Sequence, residues 1–390
     1  MRTNPAHETI MHIRNGSSMT IAQIQALGTE LGEKVVFVEW VHVVWRDQAD
    51  LLMVLYRNGC FVAEIFLELK LEVVQDWVSE NLNGDRPLLD NDANLTKMEG
   101  LIAPLKRHTK LDETLVLCPT GVLHRVPLHA INLDGEPLIL RNPVIYTQSL
   151  SMLRLCLMGT ERGFDPADQV PERSLSRAVV IHPLPDFYPS TASINDVSEI
   201  LGASKLLHGS IKRSSFLDAV ANASLLHYHG HVLQRSIRLE SEDGSESPEE
   251  TFVDTDTIFD LPLAKPALVT LIGCFSNEAT INKSDDLYGI PTALHYAGAT
   301  SVVSTLWLID DVDGEKFSGA FYRTLDRQVE EMGENEEQIV NLASAIQEVV
   351  KETMEDKPEA YHWASFVLNG MWRWPVPKGL FPGNDPKPDE

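Results

Sequence analysis

The sequence is short of cysteine, of positive charge and of long apolar runs, and each shortage removes a class of protein. Four cysteines in 390 residues, Cys60, Cys118, Cys156 and Cys274, with no CxxC pair among them, are too sparse for a disulfide scaffold. They point to a reducing compartment. No apolar run approaches the roughly 18 to 20 residues that span a bilayer, and the opening MRTNPAHETIMHIRNGSS lacks the basic-then-apolar order of a secretory signal. A cytoplasmic or nuclear protein with no membrane partner is expected, the cytoplasm first. Lysine and arginine number 32 against 57 acidic residues, and a net charge of −25 repels a phosphate backbone, so no nucleic-acid partner is expected. That acid surplus suits basic partners, although keeping the surface soluble is reason enough for it. There is no internal repeat with a period of 20 to 50 residues.

What is present is ordinary globular composition, 43% apolar, 23% charged and 7% aromatic, in a chain long enough for one large domain or two smaller ones. Residues 34–45, 50–56 and 60–67 are β-branched or aromatic runs separated by turn formers, which predicts an antiparallel meander. In 69–82, Leu71, Val74, Trp77 and Val78 recur at helical intervals before GDRPLLDND breaks the pattern. From Thr114 onward the runs become short and continuously apolar: TLVLCP, RAVVIHP, SLLHYHGH, ALVTLIGC and SVVSTLW. Strands buried on both faces read this way, because helices cover a parallel sheet above and below. The helices expected between them lie at 192–202, 213–222, 287–298, 314–328 and 337–354. An insert at 240–256 carries eight acidic residues and reads as a solvated loop, and the Pro-rich tail 376–390 reads as frayed. Cys60, Cys118 and Cys156 read as structural, and Trp372 and Trp374 as packing the C-terminal end onto the core.

Two strand ends carry the candidate chemistry, since reactive groups in open parallel sheets gather beyond the carboxyl ends of the strands. One run ends in His227, His229, Gly230 and His231; the other ends in Cys274. Imidazole is the side chain best matched to proton transfer near neutral pH, and a thiol on a neighbouring strand end is a nucleophile it can activate. Gly230 lets a backbone amide approach closely, and the Cys274 amide can join it in binding an oxyanion. The bland readings stand beside these: a strand-end cysteine is more often a small buried hydrophobe, and His227, His229 and His231 share a strand face that also suits a metal comb. A metal site lacks an adjacent aspartate, and the only obvious further ligand, His295, lies in a predicted helix, so no metal is assigned.

The blocks TLVLCPTGVLHRVPLHAI, SLLHYHGH, LVTLIGCFSN, LHYAGATSVVSTLWLIDD and HWASFVLNG, in that order over about residues 34–370, resemble the CHAT domain, a caspase-like peptidase domain, and more distantly the separase catalytic domain. The resemblance implies an α/β fold with a caspase-like, mostly parallel central sheet flanked by helices and preceded by a β-rich N-terminal subdomain. It divides the chain into an extension (1–33), an N-terminal subdomain (34–165), a catalytic subdomain (166–375) and the tail (376–390). Carried over, Cys274 is the nucleophile of a cysteine endopeptidase and His231 its general base, with His229, which precedes Gly230, as the alternative base. Val232 stands where the family has a glycine, which leaves Gly230, Val232 and Cys274 as the expected oxyanion donors. Asp311, with Asp310, is expected to receive a basic side chain of a protein or peptide substrate, while Asp313 or a neighbour caps the following helix. No cofactor is needed. Members of the family are held inactive until a partner acts, so a tetratricopeptide-repeat or other regulatory protein is expected. A catalytically inactive scaffold of the same fold is the alternative.

Overall fold

The computed structural model describes residues 18–32, 34–45, 48–82, 92–161, 178–183, 190–207, 211–233, 235–239, 251–261, 263, 267–281, 287–332 and 337–382. One sheet of eleven strands runs through them. In chain order these are β1 (Val35–Trp45), β2 (Gln48–Arg57), β3 (Cys60–Phe66), β4 (Thr114–Cys118), β5 (Val144–Tyr146), β6 (Ala178–His182), β7 (Ser204–Leu207), β8 (Leu225–His229), β9 (Ala267–Ile272), β10 (Ala299–Thr305) and β11 (Phe366–Gly370). Their spatial order is β3-β2-β1-β4-β5-β11-β10-β9-β8-β6-β7. The meander β1-β2-β3 is antiparallel, as its alternation and turn residues predict, and β1 also pairs in parallel with β4, which fuses the meander to the rest. From β10 through β9, β8 and β6 to β7 every pair is parallel, and β11 runs antiparallel to β10.

Helices cover both faces. On one side lie α4 (Ser190–Leu201), α7 (Asp311–Glu330) and α8 (Leu342–Asp356), on the other α5 (Arg213–Asn222) and α6 (Ile290–Ala297); α1 (Ile21–Leu31), α2 (Leu71–Asn81) and α3 (Leu150–Glu161) are the other helices longer than five residues among the described residues. The parity of β8 and β9 shows the two layers: Leu225, Leu268 and Ile272 join the core under α4 and α7, whereas Leu226, Tyr228, Val269 and Leu271 join the core under α5 and α6. Trp372 and Trp374 are buried, as expected. Among the described residues no helix is long and apolar enough to cross a membrane.

Several expectations need correction. The predicted helix 287–298 begins only at Ile290, because Leu287–Gly289 pairs antiparallel with Ala279–Ile281, and Pro291 then opens the helix in its first turn. The helix expected from 337 begins at Leu342: Ile339–Asn341 pairs with Arg373–Pro375, and the Asn341 side chain caps the Ser344 amide. Of the acidic insert, 240–250 lies outside the described residues, but Phe252–Asp254 is a strand with Val253 fully buried, so its apolar end packs rather than solvates. The tail is not frayed through 382, since Leu380 and Phe381 are buried anchors; 383–390 lies outside the described residues. Within the N-terminal extension, Thr20 and Gln23 form a capping box that starts α1.

Candidate active site

The two candidate strand ends are neighbours. β8 and β9 pair in parallel up to His229 opposite Ile272, and the Gly230 amide extends the ladder by donating to the Ile272 carbonyl at 3.0 Å. His231 and Cys274 each lie two residues beyond that last pair. The approach is close enough to require glycine at 273, where a Cβ would lie 2.6 Å from the Gly230 carbonyl oxygen; a Cβ at Gly230 would instead lie 2.7 Å from the Tyr228 hydroxyl and 2.8 Å from Pro183. The Tyr228 hydroxyl lies 2.8 Å from the carbonyl oxygens of both His231 and Arg238, fixing the backbone at His231. Because the Gly230 N–H is spent on the ladder, it is not a free oxyanion donor in this state, whatever the expectation for it.

The turn after Cys274 is strained and clamped. Phe275 has φ +56°, a left-handed conformation that costs a bulky side chain about 1–3 kcal/mol. Backbone bonds from Phe275 to the Trp307 carbonyl (3.2 Å), Ser276 to Gly273 (3.1 Å) and Asn277 to Thr305 (2.9 Å) hold it there. Beneath them, the buried Ser276 hydroxyl donates to the Leu271 carbonyl (2.9 Å) and accepts from the Thr305 amide (2.8 Å), while the Thr305 hydroxyl donates to the Gly273 carbonyl at 2.5 Å. Sequence reading gave no signal for this clamp, since a Ser in a strand-end turn and a Thr ending a strand are commonplace. Cys274 itself is partly buried, with Sγ 3.9 Å from the Ile309 carbonyl oxygen. Burial pushes its thiol pKa up; the hydrogen bond toward Ile309 opposes this, and the charges of Asp310 and Asp311 add to the rise.

His229 belongs to a different cluster. Its Nε2 lies 3.0 Å from Asp311 Oδ1 and its side chain is 4% exposed. Its ring stands edge-on to His182 and His227, with centroids 5.9 and 6.2 Å away. His227 Nδ1 contacts the Tyr322 hydroxyl (3.1 Å), which also meets Thr270 Oγ1 (3.0 Å), and burial first, then the neighbouring imidazoles, push the His227 pKa well down. The expected substrate residue Asp311 is therefore held by the expected alternative base His229, and its side chain is 25% exposed. Asp310, at the N-cap of α7 but with no side-chain capping bond, is exposed. Asp313 is no cap: buried, it binds Lys357 Nζ (2.5 Å) and His362 Nδ1 (2.6 Å), an ion-pair network that ties α7 to the segment before β11. Asp310, Asp313 and His362 are near enough to share a metal ion, but the Lys357 ammonium already occupies that carboxylate.

Comparison with known proteins bears on the family and the fold. A family model described as the CHAT domain matches residues 93–371. No curated protein matches the chain. Among solved structures, two of the Saccharomyces cerevisiae separase–securin complex are similar, at 2.6 Å resolution (12% identity, TM-score 0.59, 90% of this chain) and at 3.0 Å (11%, 0.60, 89%). The chain spans about a third of the separase chain, 31% and 30% in the two structures. A complex of Porphyromonas gingivalis RgpB pro- and mature domains is similar at 12% identity and TM-score 0.50, covering 77% of this chain and 75% of that one. At these identities the likeness is one of fold, and the fold is the caspase-like one, a large and mostly parallel sheet flanked by helices.

Proposed function

The chain belongs to the CHAT domain family, and from that premise we propose that it is a cysteine endopeptidase working through a Cys274–His231 dyad. The observation that supports the reading is the register of β8 and β9, whose last ladder pair, His229 opposite Ile272, stands two residues before each of His231 and Cys274. Strand alternation carried two residues further would turn both toward the α7 side, and the contact of Cys274 with the Ile309 carbonyl supports this for the cysteine. His231 takes the thiol proton, the thiolate sulfur attacks the peptide carbonyl carbon, and the oxyanion is bound by the Cys274 and Val232 amides. His231 returns the proton to the departing amine as the C–N bond breaks. It then draws a proton from water, which attacks the thioester and releases the acid and the free thiol. His229 fits the base role less well, because its Nε2 is committed to Asp311 and its ring is buried.

Specificity for a basic residue on the acyl side rests on Asp310 and Asp311. Their negative charges raise the Cys274 pKa, so they lie within electrostatic reach of the sulfur. A guanidinium or ammonium brought there forms a charge-assisted pair with the carboxylates and cancels the field that holds the proton on the thiol. A cationic substrate thus assists in ionising its own nucleophile. The regulatory partner is the other half of the proposal: with the thiol pushed up and the Gly230 amide occupied, the present state is a resting one, and binding of a partner protein repositions the strand ends. The same two observations favour the second reading, an inactive scaffold. Incubating the protein with a peptide library in the presence of chelator separates them. Cleavage after Arg or Lys, reduced about 10²- to 10⁴-fold in His231→Ala and abolished in Cys274→Ala, is the expected result. Cleavage that survives Cys274→Ala rules the dyad out.

A further inference from the structure

The large sheet ends on one side in β3, which pairs only with β2. Leu67, just past β3, donates its amide to the Leu51 carbonyl at 2.9 Å, so alternation along the antiparallel ladder turns the backbone groups of Glu64 and Phe66 away from β2. Among the described residues nothing meets them there. Edge strands are usually blunted by Lys, Pro or a bulge. The run CFVAEIF has neither Lys nor Pro, and its one irregularity falls between Phe61 and Ala63, short of Glu64.

The side chains along this edge are as open as its backbone. Register sets Phe66 beside Leu52 and Val41 on the face that points away from the buried Met53 and Leu55, and Glu64 beside Val54 and Glu39 on that same face. Phe66 is 62% exposed, Phe61 58% and Val41 40%. Exposed apolar groups gathered this closely mark an interaction surface. Two carboxylates are set among them. Burial pushes the Glu39 pKa up, and burial first, then the charges of Glu39 and Glu64, push up that of Tyr56, whose residue pairs with Phe61. Neither carboxylate has an ion-pair partner among the described residues. A second copy of the chain would bring like charges against them, and a further net charge of −25, so self-pairing is disfavoured. A cationic strand supplies both missing partners, hydrogen bonds for the backbone and positive charge for the carboxylates.

We propose that β3 is a docking edge for an extended, basic segment of a partner protein, which adds to the sheet as a further strand. The segment bonds to the outward backbone groups of Glu64 and Phe66, sets a Lys or Arg against Glu64, and packs an apolar residue two positions away on Phe66. Six strands separate this edge from β9, so the inference does not depend on peptidase activity.

The test uses the full chain as Cys274→Ala, so that no probe is cleaved, with the peptides Ac-KTVTKTVTK-amide and Ac-ETVTETVTE-amide. In calorimetric titration the Lys peptide binds at least tenfold more tightly than the Glu peptide. Hydrogen exchange at the Glu64 and Phe66 amides, fast in the free chain, slows at least tenfold at saturation. Glu64→Lys reverses the order of the two peptides, while Asp310→Asn with Asp311→Asn leaves Lys-peptide binding within twofold. Binding of neither peptide overturns the proposal, as does binding that leaves both amides fast or an order that Glu64→Lys does not change. Loss in the aspartate variant overturns it by placing the peptide at the substrate carboxylates. Amides already slow in a free chain that sediments as a dimer overturn it in favour of a second copy.

Discussion

At the scale of single residues, the state of Cys274 is the most informative feature. Burial and the Asp310 and Asp311 charges favour the neutral thiol, so the resting protein should react with iodoacetamide ever faster as pH rises past the ordinary thiol range, with no plateau near neutrality. Asp310→Asn with Asp311→Asn removes two causes of the rise and should move that profile to lower pH, a result mass spectrometry of the Cys274 peptide reads directly. An unmoved profile would show that the two carboxylates do not reach the sulfur. The identity of Cys274 and the histidines was legible because each ends an apolar run. The Asp311–His229 contact was not: it joins residues 82 positions apart, and no local spacing encodes which of Asp310, Asp311 and Asp313 turns toward that imidazole. Nor was the fate of Asp313, whose partners Lys357 and His362 come from another element.

At the scale of elements, runs with a strong period were read correctly and paired partners were not. The β1-β2-β3 meander and α2 follow directly from alternation and from Leu71, Val74, Trp77 and Val78. The late starts of α6 and α8 come from short strand pairings that take over the first residues of helical-looking segments. α1 was hidden because a short amphipathic helix after a polar leader resembles a loop until its capping box is noticed. Its Gly28 backs onto Gly59 so tightly that a side chain at either would strike the other's backbone segment. The Ser276–Thr305 clamp belongs to this scale also. Ser276→Ala leaves the Leu271 carbonyl and Thr305 amide short of a partner, which should cost about 1–3 kcal/mol in a denaturant melt. It should also raise hydrogen exchange in the Phe275–Asn277 turn. Equal stability and unchanged exchange would mean the strained φ at Phe275 is held by the backbone alone.

At the scale of the whole molecule, one sheet fused from an antiparallel meander and a parallel body carries the candidate site on β8 and β9, the third and fourth strands from the edge opposite the meander. The same buried interior holds neutral histidines: burial lowers His129 to about 3 and His295 to about 4, and His227 well below its usual value. The unfolded chain protonates all three near pH 6.5, so it binds more protons than the folded one below that pH, and stability must fall as pH drops. Between pH 6.5 and 5 the loss is about 2 kcal/mol per histidine, less relief of repulsion from the surplus acid. Urea melts across that range should show the decline; flat stability would mean the rings charge inside the fold. The central claim, a working Cys274–His231 pair, is tested most directly by trapping. An acyloxymethyl ketone peptide with Arg beside the reactive group should add one covalent mass to Cys274 in the wild type and in His229→Ala, and react far more slowly in His231→Ala. Labelling indifferent to His231, or none at Cys274 in the presence of any activator that induces proteolysis, would contradict it.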